Sequence, residues 1–531
     1  MKRALLAYFS SCSLLLGLSV ATTVVPALFG VDARAQIKLD TPTESIAGQR
    51  AARALEVAKK NPLDLRAFLA DMPKGGDLHN HLSGAIYAET WIREAAEDRM
   101  CVDRATLILS PALSSAPPTA PCGAGKVPAS EAFTDQHLYD AMVDAFSMRG
   151  FVPSAGGTAH DHFFDTFEKF NPISDRHLGD WLDEVATRAA RQNEQYLELM
   201  HTPSVAHAFA VAKEVGWMED FGKLREELLG RGLRADVAAM RADLDRADAS
   251  REQHEHCQQA ERAPACGVEI RYLFQVLRGF PKEDVYAQLV VAFEAASSDP
   301  RVVGINMVMP EDGYISMRDY DLHMRMVGFL HGVYPAVHIS LHAGELAPGL
   351  APFEGLCCHV RQAVQVAHAE RIGHGVSVMY EERPYELLRE MAARHVLVEI
   401  NLTSNDVILG VKGNDDPFPI YRRAGVPVAL STDDEGVSRI DLTYEFVRAV
   451  ETYGLTYSDL KLLVRNSIEY SFLPGESLWR ERGVFARMLP ECGGSGDAAA
   501  SDKCQGFLHA NEKARQEWEL EQRLRVFERS K

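Results

Sequence analysis

The sequence lacks several features that mark particular classes of protein. Basic residues are outnumbered, with 56 Lys and Arg against 75 Asp and Glu, and the formal net charge is −19. A protein that binds nucleic acid needs a basic surface to displace counterions, so we expect no nucleic-acid partner. Cysteine is scarce, at 9 of 531 residues, and no pair has the CxxC spacing of a structural zinc knuckle.

Long apolar runs are absent after the first 35 residues. Lys2 and Arg3 precede an apolar run that reaches about Gly30, and Ala33-Arg34-Ala35 follows as a small-residue cleavage site. This pattern predicts a secretory signal over residues 1–35, a secreted or periplasmic protein, and no membrane association after cleavage. The alternative is an uncleaved membrane anchor, because the run is long enough to span a bilayer.

Six of the cysteines lie close to one another in the chain, which fits an oxidising compartment. The pairs that this spacing predicts are Cys101 with Cys122, Cys257 with Cys266, and Cys492 with Cys504. We expect the adjacent Cys357 and Cys358 to remain buried thiols.

Short apolar, β-branched runs alternate with longer stretches of helical periodicity. The runs are Gly76–His81, Gln195–Met200, Glu269–Leu277, Val302–Val308, Val337–His342, Arg371–His374, Val396–Leu402 and Val426–Ser431. Eight strand–helix units predict an α/β fold, a (β/α)8 TIM barrel with helical and loop insertions. A doubly wound open sheet is the alternative, but its Gly-rich loop should follow the first strand, and Gly75-Gly76 lies before that strand instead.

Three segments follow from this pattern. The signal over residues 1–35 precedes a barrel domain over residues 36–475, which carries insertions near 101–130 and 218–266. Residues 476–531 form a C-terminal helical extension. Whether the chain forms a homo-oligomer is left open.

Histidines and carboxylates fall at the predicted strand ends, where a barrel builds its active site. His79 and His81 are two apart, so on a strand both side chains point to the barrel interior. His342 ends the fifth run and Asp433 follows the eighth, so they can complete a set of three nitrogens and one oxygen. This set, with an open position for water, is typical of catalytic zinc, and we predict one Zn²⁺ per chain.

Longer motifs surround these residues. They are Asp77-Leu-His-Asn-His-Leu-Ser-Gly-Ala85, His342-Ala-Gly-Glu345, Arg371-Ile-Gly-His-Gly375 and Ser431-Thr-Asp-Asp434. In order and setting they resemble the adenosine deaminase family over roughly residues 70–475. The signal and the cysteine pairs resemble its secreted branch, the adenosine deaminase-related growth factors, and its exported bacterial relatives.

The resemblance implies a role for each site residue. His79, His81, His342 and Asp433 would bind zinc. Glu345 would share a proton with purine N1, His374 would orient and help to deprotonate the water, Asp434 would contact N7, and the backbone N–H of Gly304 would meet N3. The implied reaction is hydrolytic deamination of adenosine, and of 2′-deoxyadenosine, to inosine and ammonia. The implied partner is thus a small purine nucleoside.

One position departs from the family pattern. Two residues after the second histidine the better-known branch has an aspartate linked to the ribose 5′-hydroxyl, and here the residue is Ser83. The preference at the 5′ end is therefore open, and the substrate alternatives are adenine, AMP or an N6-substituted nucleoside. A secreted growth-factor-like binding protein on the same scaffold is the alternative from another class.

Overall fold

The computed structural model describes residues 45–113, 122–154, 157–173, 175–493 and 500–531, so the predicted signal lies outside the described residues. Eight of its strands form one sheet. They are β1 (Gly75–His81), β2 (Glu194–His201), β3 (Glu269–Leu277), β4 (Val302–Val308), β5 (His338–Ala343), β6 (Arg371–His374), β7 (Leu397–Ile400) and β8 (Val428–Leu430). Each begins and ends within two residues of a run predicted from the sequence.

The strands neighbour one another in chain order, and every pairing is parallel. The chain after β8 returns to β1. The Asp433 backbone N–H donates to the His79 carbonyl at 2.8 Å, and the His81 N–H donates to the Asp433 carbonyl at 3.0 Å. These bonds bring the first and last strands together, which confirms the predicted barrel over the open doubly wound sheet.

Helices cover the outside of the barrel, so both faces of the strands are buried and the strands read as near-continuous apolar runs. β1 and β7 are buried along their whole length. The helices are Ile46–Ala58, Pro62–Asp71, Leu82–Ala85, Ala88–Glu97, Gln136–Ala145, Ala159–Phe170, Leu178–Arg191, Ala206–Val215, Phe221–Gly230, Arg234–His254, Lys282–Ser298, Tyr314–Arg318, Tyr320–Val333, His359–Gln365, Pro384–Ala393, Leu402–Leu409, Phe418–Ala424, Glu435–Ser438, Leu442–Tyr453, Tyr457–Glu469, Asp502–Ala510 and Glu512–Ser530.

Local sequence sets individual helix ends. The helix Tyr457–Glu469 begins with a capping box, in which the Thr456 hydroxyl accepts from the Asp459 N–H and the Asp459 carboxylate accepts from the Thr456 N–H. This arrangement satisfies two backbone donors that a helix leaves unpaired at its start.

Additional elements decorate the barrel. A small antiparallel sheet of Cys101–Asp103, Leu109–Ser110 and Lys126–Pro128 follows the first helices. A hairpin of Trp479–Glu481 and Val484–Met488 precedes the C-terminal helices. The last helix, Glu512–Ser530, lies beside the start of β2, where the Gln195 amide donates to the Gln516 carbonyl at 2.8 Å. It is therefore at the opposite end of the barrel from the predicted site.

Four disulfides are formed among the described residues. Three are those expected from spacing, Cys101–Cys122, Cys257–Cys266 and Cys492–Cys504. The expectation of free thiols at Cys357 and Cys358 is wrong, because these neighbours are joined to each other. They are half-buried at the start of the helix His359–Gln365, and Cys358 has a left-handed backbone with φ 79°.

No helix within the described part of the chain is both long and apolar enough to cross a membrane.

Candidate metal centre

The predicted metal ligands meet at the carboxyl ends of the strands. His79 and His81 come from the end of β1, His342 from β5, and Asp433 from the turn after β8. Asp433 has a left-handed backbone with φ 62°, and His374 at the end of β6 has φ 66°. Such conformations are unfavourable for residues other than glycine and are concentrated at functional sites. The backbone bends here so that side chains from four strands face one point.

The donor atoms converge closely. His342 Nε2 lies 3.1 Å from both His79 Nε2 and His81 Nε2. Asp433 Oδ1 lies 3.4 Å from His79 Nε2 and 3.1 Å from His81 Nε2. Zinc binds imidazole at about 2.0–2.1 Å, which sets tetrahedral ligands about 3.4 Å apart. The observed separations therefore fit a single metal ion among the four side chains.

The second nitrogen of each imidazole faces a side-chain oxygen. His79 Nδ1 lies 2.7 Å from Glu399 Oε2, and His81 Nδ1 lies 2.9 Å from Gln275 Oε1. His342 Nδ1 lies 2.8 Å from Asn306 Oδ1. A ring that donates through Nδ1 presents the lone pair of Nε2, and such outer partners are a regular feature of metal-bound histidines. The partners orient all three rings toward the common point.

Electrostatics favour the ligand form of two members of the set. Burial lowers the pKa of His342 well below its ordinary value, and the neighbouring imidazoles lower it further, so the ring stays neutral. Burial alone would raise the pKa of Asp433, but His374, His79 and His81 outweigh it and hold this pKa well below its ordinary value. A neutral imidazole and an ionised carboxylate are the forms that bind a metal.

His374 and Glu345 lie on one side of these ligands. His374 Nε2 is 3.6 Å from both Asp433 Oδ2 and Glu345 Oε1, and its Nδ1 is 3.1 Å from Asn405 Oδ1. Burial lowers the pKa of His374 to about 4. Burial, with the charges of Asp433 and Glu311, raises the pKa of Glu345 to about 8. A neutral histidine able to accept a proton therefore lies beside a carboxylic acid able to donate one.

Glu311 fixes the backbone that carries Glu345. Its carboxylate accepts the N–H of Gly344 at 2.9 Å and the N–H of Glu345 at 2.8 Å, and it contacts His359 Nδ1. Burial alone would raise the pKa of Glu311, but His359 and then Arg278 outweigh it and lower the pKa to about 2. The Glu345 segment is thus tied to a permanently charged, buried anchor.

Asp434 lies beside the metal ligands with one oxygen free. Its side chain is buried, and Oδ1 has no hydrogen-bond partner. Burial and the adjacent Asp433 raise its pKa well above the ordinary value. A Cβ atom at Gly84 would lie 1.6 Å from Asp434 Oδ1, so glycine is required there. An unpaired buried oxygen is costly, which indicates that Asp434 Oδ1 is available to bind a ligand.

A cavity of about 640 Å³ opens onto these groups, within the range of small-molecule sites. Ser83 lines it together with Glu345, Asp434 and the metal ligands His81, His342 and Asp433. Its aromatic wall comprises Trp91, Phe163, Phe164, Phe167, Phe170 and Trp181. None of the described residues around it is lysine or arginine.

The structure does not bring Gly304 to this cavity. Gly304 lies near the start of β4 and pairs with His338 at the start of β5. A Cβ atom there would lie 2.8 Å from the His338 carbonyl oxygen, so glycine serves strand packing. The cavity is reached four residues later, by Val308, roughly 13 Å further along at the rise of a strand. The prediction for Gly304 is corrected: the apolar run located the strand but not its cavity end.

Sequence reasoning missed the residues that support the site. Asn306 and Glu399 are single polar residues inside the buried strands β4 and β7, and Gln275 is a half-buried polar residue of β3. A lone polar residue in a buried strand needs a partner, and that was the available signal. Glu311 lies in a loop after β4, and nothing in its local sequence marks it.

A comparison with family models matches the adenosine deaminase model to residues 173–480, more than half of the 531 residues. The chain belongs to the adenosine deaminase family. The recognition made from the motifs is thereby confirmed at the level of the family, which comprises hydrolases that act as deaminases.

Curated relatives match over part of their length. The adenosine deaminase of Clostridium perfringens strain 13 is 36% identical over 139 residues, which are 26% of this chain and 39% of that protein. The adenosine deaminase of Vibrio atlanticus is 29% identical over 220 residues, 39% of this chain and 58% of that protein. The chain thus spans less than two thirds of either relative.

Among solved structures, a zinc-bound amidohydrolase from Burkholderia ambifaria has a TM-score of 0.52 at 17% identity, covering 87% of this chain and 95% of that one. This likeness supports the barrel fold of the adenosine deaminase family.

Proposed function

We propose that the protein is a zinc-dependent deaminase that hydrolyses adenosine, and 2′-deoxyadenosine, to inosine and ammonia. The observation that carries the proposal is the convergence of His79, His81 and His342 Nε2 and of Asp433 Oδ1 at 3.1–3.4 Å, next to Glu345. Membership of the adenosine deaminase family supports the reaction class.

His79, His81, His342 and Asp433 would hold one zinc ion. When bound, zinc supplies Lewis acidity that makes water nucleophilic near neutral pH. His374, neutral and 3.6 Å from Asp433 Oδ2, would accept the proton of the attacking water. Because its Nδ1 faces Asn405 Oδ1, the ring would carry its electron pair on Nε2, which the Asn401 amide nitrogen also approaches at 3.4 Å.

Glu345 would supply the proton that the purine needs. Attack at C6 breaks the ring aromaticity and places charge on N1, so a carboxylic acid at N1 lowers the barrier. Its raised pKa keeps Glu345 protonated at neutral pH. Asp434 Oδ1, buried and unpaired, would meet N7. Burial and the adjacent Asp433 raise its pKa, which favours a protonated carboxyl group that would donate to that nitrogen.

The cavity favours a nucleoside over the other adenine compounds. A volume of about 640 Å³ exceeds the need of adenine alone. A 5′-phosphate requires cationic or N–H donors, and none of the described lining residues is lysine or arginine. AMP and N6-substituted nucleotides are therefore the less favoured substrates, although an N6-mAMP deaminase of Arabidopsis shares the fold, with TM-score 0.50 at 19% identity over 76% of this chain and 95% of its own.

We also propose that the protein acts outside the cytoplasm. Lys2, Arg3 and the apolar run that follows support export. The four disulfides are consistent with an oxidising compartment. Fractionation of the native host, with N-terminal sequencing of the mature protein, tests this: recovery of the full-length chain from the cytosol would contradict it.

An ultraviolet deamination assay tests the activity. Purified protein is compared on adenosine, 2′-deoxyadenosine, AMP and adenine, with and without a chelator. We expect the two nucleosides to be preferred and the chelator to abolish turnover. A preference for AMP would overturn the substrate, and zinc-loaded protein that deaminates no purine nucleoside would favour a binding role.

A further inference from the structure

A second group of potential metal ligands lies outside the catalytic cavity, behind its aromatic wall. Glu94 belongs to the helix Ala88–Glu97, His177 immediately precedes the helix Leu178–Arg191, and Asp180 lies in the first turn of that helix. Each of the three residues offers one ligand atom, and these atoms all lie within 4.8 Å of one another. We call these three residues the Glu94 cluster. None of them belongs to the set around His342.

The remaining atoms of two members are already engaged. Glu94 Oε2 accepts the indole N–H of Trp181 at 2.8 Å. His177 Nε2 lies 3.2 Å from Asp98 Oδ1, and Arg176 also contacts that carboxylate. A histidine held through one nitrogen by a carboxylate presents the lone pair of the other, as metal-bound histidines do. His177 Nδ1 faces Asp180 Oδ2 at 3.3 Å, and Glu94 Oε1 beside them is the atom left without a hydrogen-bond partner.

Glu94 Oε1 is the atom that requires an explanation. The Glu94 side chain has no solvent exposure, and Oε1 has no hydrogen-bond partner. The nearest cationic atoms are Arg93 Nη2 at 3.7 Å and His177 Nδ1 at 4.0 Å, both beyond hydrogen-bond distance. A buried carboxylate oxygen without a donor is costly, and native structures rarely leave one in place.

A cation among these atoms removes that cost. His177 Nδ1 is 3.3 Å from Asp180 Oδ2 and 4.0 Å from Glu94 Oε1, so small adjustments bring all three within reach of one ion. One imidazole and two carboxylates are ligands that zinc accepts, with water completing the shell. Asp180 is one-third exposed and lines an open surface depression with His254, so an ion can enter from solvent.

We propose that Glu94, His177 and Asp180 bind a second divalent metal ion, zinc or a metal with similar ligand preferences. Its role is structural, because it joins the helix Ala88–Glu97 to the helix Leu178–Arg191 directly behind Trp181 of the cavity wall. The proposal does not depend on the deaminase activity. The alternative is a metal-free cluster, in which burial raises the pKa of Glu94 to about 7 and its carboxyl group holds a proton instead of a metal ion.

Metal counting tests the proposal. Full-length protein is equilibrated with zinc, desalted, and analysed for zinc per chain by mass spectrometry. Variants Glu94→Gln and His342→Ala each remove one ligand from one site. Glu445→Gln is the matched control, since Glu445 is also a fully buried carboxylate but accepts from Thr403 rather than facing a histidine.

We expect two zinc ions per chain in the wild type and in Glu445→Gln, and one in Glu94→Gln with its turnover of adenosine within two-fold of wild type. His342→Ala should also hold one ion but lose turnover. One ion per chain in the wild type, retained in Glu94→Gln, would overturn the second site and leave the proposed function intact. A single ion in the wild type that His342→Ala keeps and Glu94→Gln loses would instead contradict the catalytic metal.

Anomalous diffraction on wild-type crystals covers the case in which Glu94→Gln does not fold. At the zinc edge we expect a peak between Glu94, His177 and Asp180 in addition to the one at His342. Anomalous signal at His342 alone would show that the Glu94 cluster holds no metal and would overturn the proposal.

Discussion

Replacing Glu311 by glutamine is expected to weaken both the fold and the turnover, although Glu311 is no metal ligand. Its carboxylate accepts two backbone N–H groups, of Gly344 and Glu345, and contacts His359. Glutamine keeps the volume but offers one oxygen, so its NH₂ group would face a donor. One of the buried backbone donors, or His359 Nδ1, would then be left without its acceptor.

The pKa of Glu311 sets the magnitude. It falls from an ordinary 4.5 to about 2, which corresponds to roughly 3 kcal/mol of stability at neutral pH. Breaking a buried ion pair costs about 3–5 kcal/mol by mutagenesis, which agrees. Because the folded pKa is the lower one, this stability is present above about pH 4.5 and is lost as the pH falls toward 2. The difference in unfolding free energy between wild type and Glu311→Gln should therefore narrow by roughly 1 kcal/mol from pH 7 to pH 3.5.

Urea unfolding of both proteins across this pH range measures the effect. Turnover of adenosine by Glu311→Gln should fall about 10- to 100-fold while its zinc content stays intact. A displacement of Glu345 by about 1 Å is enough to cause such a loss. The control is Glu381→Gln. Glu381 is a buried carboxylate whose pKa is raised by burial, so the difference in unfolding free energy between this variant and wild type should not shrink in acid. Equal stability and turnover in Glu311→Gln and wild type would refute the reasoning.

Three further outcomes are expected. Glu345→Gln should retain zinc but lose most of its turnover, because it cannot transfer a proton to N1; near-normal rates would remove Glu345 from the mechanism. Chelation should abolish turnover, and added zinc should restore it, as measured by ultraviolet absorbance with zinc content followed in parallel; full activity of metal-free protein would contradict a metal mechanism. Ser83→Asp should raise the kcat/KM ratio of adenosine over 5′-deoxyadenosine about ten-fold, the effect of one hydrogen bond to a charged group; an unchanged ratio would mean that Ser83 does not face the 5′ carbon.

Much of this arrangement is present in the sequence because it is local or periodic. The strands appear as buried apolar runs between amphipathic stretches, and parallel order follows from their alternation with helices. His79 and His81 share a face because side chains on a strand repeat every two residues. His342, Glu345 and Asp433 lie in motifs at predicted strand ends, so their convergence follows once the barrel closes.

Other features depend on contacts between distant parts of the chain. Gln275, Asn306 and Glu399 orient the three imidazoles from three other strands, and Glu311 anchors a backbone segment 33 and 34 residues later in the chain. Local sequence does not show which residues pair, because hydrogen bonds over these separations exist only after folding.

The error at Gly304 has the same origin. An apolar run shows that a strand is buried, but which of its residues reaches the cavity depends on its register against neighbouring strands. The bond between Cys357 and Cys358 and the unpaired oxygen of Glu94 likewise become visible only in three dimensions. The sequence by itself determined the barrel and the family, and it predicted the ligand set, because these rest on periodicity and motif. The tertiary structure decided the supporting contacts, because burial and strand register bring together residues that are far apart in the chain.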